Sequence, residues 1–109
     1  MSWKWTKRVT EIGLSLMSED ARRDRIDQIM VEGTMDGKKL AMLIDECKTA
    51  VSILLASADD GTIAATASTV NGMLDREEME EMINAVNGKT AVATTDPDEL
   101  VSWLMELMG

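Results

Sequence analysis

The sequence contains no histidine, phenylalanine or tyrosine, one proline and one cysteine. Without histidine, Ser-His-Asp and Cys-His nucleophile arrangements are excluded, and so are zinc sites of the usual His/Cys kind. A lone Cys47 excludes an internal disulfide and fits a reducing compartment. No apolar run reaches the roughly 18 residues that a membrane-spanning helix needs. The first residues carry Lys4, Lys7 and Arg8 and then a broken apolar stretch, unlike a signal peptide, so a cytoplasmic location is expected. Phosphate-binding loops are missing as well. Gly33-Thr34-Met35-Asp36-Gly37 lacks the spacing and the Lys-Ser/Thr of a P-loop, and no G-x-G-x-x-G occurs. Asp59-Asp60-Gly61 lacks the alternating ligands and closing Glu of a calcium loop. Neither a cofactor nor a metal is expected.

What is present suits one small domain over residues 1–109. Hydrophobic residues make up 45% of the chain, and at this length folding buries roughly 60–70% of the surface. Ten Met must do much of the filling that Phe and Tyr would otherwise do, with Trp3, Trp5 and Trp103 as the only large rings. Charge is divided unevenly. Residues 1–40 hold eight Lys or Arg against seven Asp or Glu, whereas residues 41–109 hold three against thirteen, for a net −9. So acidic a second part argues against direct nucleic-acid binding and favours basic partners.

Along the chain, Trp5, Val9, Ile12 and Leu16 form one helical stripe, which Gly13 weakens by about 1 kcal/mol against Ala. Ser18 reads as the cap of a second helix with Ile26, Ile29 and Met30 on its apolar face and Gly33 as its stop. Asp36 caps a third carrying Leu40, Leu43, Ile44 and Cys47. Val51, Leu54 and Leu55 continue its period, so this helix can run on to Ser57. The run 50–55, however, is apolar on both faces and leads into Asp60-Gly61, a strong hairpin signal, after which Ile63, Ala65 and Ala67 alternate. Thr90 to Thr95 repeats that texture. Asp75 with Glu78 resembles a capping box for a helix whose stripe is Leu74, Met79, Met82, Ile83 and Val86, and Asp96-Pro97 opens a last helix through Leu100, Val101, Leu104, Leu107 and Met108.

These signals predict an α+β fold. N-terminal helices lead to a small sheet built on a hairpin at about 50–69 with one strand at about 90–95, and two further helices cover 75–87 and 97–108. An all-α bundle is the alternative. The order helix, hairpin, helix, strand, helix resembles the opening of roadblock-type dimerisation modules, which continue with more strands, so their function is not transferred.

Cys47 sits on an apolar stripe and reads as a small buried hydrophobe. The expected function is non-enzymatic protein–protein binding as a homo-oligomer. Trp103, Leu104, Leu107 and Met108 are the expected self-association residues, since the last helix is more apolar than one buried face requires. The alternative is an acidic inhibitor from a phage or other mobile element (anti-CRISPR proteins are of this kind). It would set Glu77, Glu78, Glu80 and Glu81 against a basic nucleic-acid-processing protein in the manner of phosphates. Trp3, Lys4, Lys7 and Arg8 join aromatic and cationic groups in the way that membrane-surface and nucleic-acid contacts do. The plainer reading places Trp5 in the core and leaves the cations solvated. An enzyme is the least supported class.

Overall fold

The computed structural model describes residues 3–32, 34–68, 75–86 and 96–108. Among these residues the chain is mostly helical: α1 (Trp3–Ser15), α2 (Glu19–Ile29), α3 (Gly37–Ser57), α4 (Asp60–Ser68), α5 (Arg76–Val86) and α6 (Pro97–Met108). A two-stranded antiparallel ribbon, β1 (Met30–Val31) and β2 (Thr34–Met35), links α2 to α3. Its register pairs Met30 with Met35 and Val31 with Thr34, and Glu32 enters the turn at φ 52°. No described helix is long and apolar enough to cross a membrane.

Most helix starts are set by short polar side chains that satisfy the first free backbone N–H groups. The Ser18 hydroxyl accepts from Ala21 N–H at 3.2 Å. Asp36 accepts from Lys38 and Lys39 at 3.0 and 3.2 Å, and Asp75 from Glu78 at 2.8 Å. Asp96 accepts from Asp98 N–H at 3.0 Å, with Pro97 at the first helical position. These caps follow the sequence reading, as do buried Ile26 and Ile29 on α2 and buried Met79, Met82 and Val86 on α5. Ile83 is half-buried, Met30, expected on the α2 face, is half-buried in β1, and Leu74 lies outside the described residues.

The hairpin expected at about 50–69 does not form; α3 and α4 take up the described residues of that span, through Ser68. Two physical reasons account for it. First, Leu40, Leu43, Cys47 and Val51 are buried and Leu54 is half-buried, so the helical period persists through the apolar run. Ile53 is simply left on the outer face, 61% exposed. Second, Asp59 serves as a helix cap and not as a turn residue, accepting from Thr62 N–H at 2.7 Å. The Ala-rich segment beyond it then follows its helix propensity, with Ile63 as its one buried hydrophobic anchor among the described residues. With the hairpin removed, the element order that carried the likeness to roadblock-type modules is gone. The expected strand at 90–95 lies outside the described residues.

The core has two clusters. In the first, Val9, Ile12, Val51, Ile63, Met79, Met82 and Val86 join α1, α3, α4 and α5. In the second, Leu14, Ile29, Leu40, Leu43, Cys47, Leu100, Trp103 and Leu104 join α1, α2, α3 and α6. Among the described residues only α1 and α3 contribute to both. They run antiparallel, since Trp5 and Val9 meet the later part of α3 while Leu14 meets the earlier part. Leu16, expected on the α1 stripe, falls beyond the helix end and is exposed, and Leu14 takes the buried place.

Gly13 lies where the two helices meet. A methyl group there would stand 2.6 Å from the Cys47 Cα and 2.7 Å from its Sγ, inside van der Waals contact with backbone. Ala in place of Gly13 gains about 1 kcal/mol of helix propensity. It also overpacks a contact that no rotamer change relieves, a class of change costing roughly 1–3 kcal/mol. Gly13→Ala is therefore expected to lower stability on balance, read as a lower urea midpoint. An unchanged or raised midpoint would show that the helices stand further apart.

The Asp59 cap makes a second expectation. Hydrogen bonds from the Thr62 backbone N–H and then its side chain hold the Asp59 carboxyl below the usual carboxylate range. A depressed folded-state pKa means that this contribution is complete above the unfolded carboxylate pKa and disappears as pH falls through the folded one. Asp59→Ala should thus lower the melting temperature at neutral pH, and the gap to wild type should close in acid.

Candidate functional site

In α5, Met79, Met82 and Val86 turn into the first cluster, and Glu77, Glu78, Glu80 and Glu81 are all exposed. None of the four has an ion pair among the described residues. Several stand three or four positions apart, where like charges destabilise a helix by a few tenths of a kcal/mol per pair (~0.2–0.5). From residue 49 to 88 the sequence holds a single cation, Arg76, and the fold uses it internally. Its Nε donates to Asp60 at 2.8 Å, while its terminal nitrogens donate to the Leu55 and Ala58 carbonyls at the end of α3. Arg76 therefore ties the start of α5 to the junction of α3 and α4, and its charge is spent there and not on the glutamates. The sequence reading missed this role. Its one available signal was a cation at a helix start, where the dipole disfavours it.

The expected self-association face on α6 is largely spent inside the chain. Trp103 is 3% exposed and Leu104 0%, both packed in the second cluster. The Trp103 indole N–H donates to a Glu11 carboxylate oxygen at 2.9 Å, so even its polar edge is satisfied by α1. Their burial corrects the expectation that α6 carries more apolar surface than the chain can cover; Leu107 is half-buried, and the Met108 side chain lies outside the described residues. What α6 does expose is Asp98, Glu99, Ser102, Met105 and Glu106, with Met105 56% exposed.

At the N-terminus, Trp5 packs against the first cluster, in line with the plainer reading. Lys7 and Arg8 are half-buried along α1, and the Trp3 and Lys4 side chains lie outside the described residues.

Between α2 and α3 runs a groove of about 310 Å³. Ile29 and Leu43 form its floor, and Met42, 69% exposed, stands on its lip. Arg25 makes a two-pronged contact with Glu46, Nε to Oε2 at 3.2 Å and Nη2 to Oε1 at 3.0 Å, which closes one side. Lys39 and Gln28 complete the rim.

No three His, Cys, Asp or Glu side chains converge on a metal position among the described residues. Burial, and secondarily the Glu46 charge, pushes the Cys47 thiol up to about 12. A thiol so placed is neutral at physiological pH and shielded from solvent. A thiol reagent is accordingly expected to label Cys47 only as fast as the protein opens, with labelling accelerated by denaturant. Immediate labelling of the native protein would place Cys47 outside the core.

Comparison with protein-family models, with curated proteins and with solved structures finds no match to this chain.

Proposed function

We propose that this chain works by binding proteins, its own copies included, and not by catalysis. The observation that carries the reading is the set of large apolar side chains left outside a closed core on the outer faces of two helices: Met42 and Ile53 on α3, Met105 on α6. Unbranched, polarizable Met side chains suit adaptable contact surfaces. Two acidic copies repel each other at long range, and salt screens that repulsion. Self-association should therefore strengthen as ionic strength rises from low values. Sedimentation velocity over a concentration and salt series tests this. A reversible dimer or larger species is expected, and a monomer throughout would reject the self-association reading.

A second reading rests on the α5 face. Four exposed carboxylates on one helix, without an ion pair among the described residues, suit a basic surface of the kind that nucleic-acid-processing proteins present. Under it, association with such a protein is salt-sensitive, displaced by DNA, and abolished when Glu77, Glu78, Glu80 and Glu81 are all changed to Gln.

A further inference from the structure

We infer that the groove between α2 and α3 receives the outer face of α6 from a second copy of the chain. The inference rests on the self-association reading above and names its contact. The groove offers an apolar floor, the exposed Met42 on its lip, and Lys39 on its rim. Arg25 is already held by Glu46, whereas the Lys39 ammonium has no ion pair among the described residues.

The outer face of α6 is its counterpart. Asp98, Glu99, Ser102, Met105 and Glu106 recur at i, i+1, i+4, i+7 and i+8, one face of a helix, and all five are exposed. Met105 lies at the end of this face beside Glu106, and the three carboxylates have no ion pair among the described residues. One surface is thus an apolar cleft edged by a cation, and the other an apolar side chain edged by carboxylates. The burial of Trp103 and Leu104 leaves this face, and not the inner one, as the part of α6 that a second copy can reach.

Position favours a closed pair. Helix α2 packs against both α3, which with it forms the groove, and α6, which carries the counterpart face. A two-fold axis passing beside α2 sets each copy's α6 over the other's groove, and the contact is made twice. Met105 then enters the cleft beside Met42, and Glu106 meets Lys39.

A charge swap tests the pairing. Lys39→Glu lies near the N-terminus of α3 and Glu106→Lys near the C-terminus of α6, so both changes suit their helix dipoles and both sites are exposed. Circular dichroism should show unchanged helix content in each variant. In sedimentation velocity each single change should weaken the dimer about tenfold, because each introduces two like-charge contacts. The double variant should restore wild-type association. A wild type that is monomeric throughout overturns this contact together with the self-association reading. A dimer that either single change leaves intact, or that the swap fails to restore, overturns this contact alone and leaves self-association through another surface.

Discussion

The approach of α1 to α3 at Gly13 and Cys47 is the contact on which the rest of the structure depends. Only a residue without a Cβ lets the two backbones come this close, since any side chain at position 13 meets the Cys47 Cα. The gain is a paired axis with a cluster at each end. Val9 and Ile12 from α1 meet Val51 from α3 beneath α4 and α5, while Leu14 meets Leu40, Leu43 and Cys47 beneath α2 and α6. Cys47 is small enough to lie under the crossing, and its burial is what pushes the thiol up to about 12. A residue that weakens α1 as an isolated helix thus stabilises the assembly of both clusters. Tertiary packing outweighs the propensity term.

Local signals in the sequence are legible where their physical cause is local. Ser18, Asp36, Asp75 and Asp96 with Pro97 mark helix starts because capping needs only a side-chain oxygen and a backbone two or three residues on. The stripes of α2 and α5 were equally legible. The hairpin signal misleads because Asp59-Asp60-Gly61 satisfies two local codes at once, a two-residue turn and a helix cap. Choosing between them required knowing whether Val51 shares a buried face with Cys47, and that is a property of α1 lying alongside. Gly13 was readable as a weakness but not as a crossing point, since Cys47 is 34 positions away in the chain. The fate of Trp103 escaped for the same reason, its partner Glu11 being 92 positions distant.

The candidate surfaces divide the same way. That α5 carries a run of glutamates is visible in the sequence, but that Arg76 turns away from them is not, because its acceptors are two carbonyls at the end of α3 and the Asp60 carboxylate. The groove beside Met42 needed the packing of α2 on α3 to appear at all. Inner surfaces of this protein are assembled mainly from Leu, Ile and Val, with two Met and one Trp, around one tight crossing. The outer surfaces separate charge, with Lys39 edging one apolar site and carboxylates edging another. The proposed binding role draws on that separation.

Native-state amide hydrogen exchange tests the central role of the α1–α3 pair most directly. Amides in the interior of helices that join both clusters can exchange only when both ends of the core open, whereas α4, α5, α2 and α6 each depend on one cluster. The slowest amides should therefore lie in the middle of α1 and α3, around Ile12 and Cys47, and exchange with the free energy of global unfolding. Slowest exchange in α5 or α6, with α1 opening at lower free energy, would contradict the account.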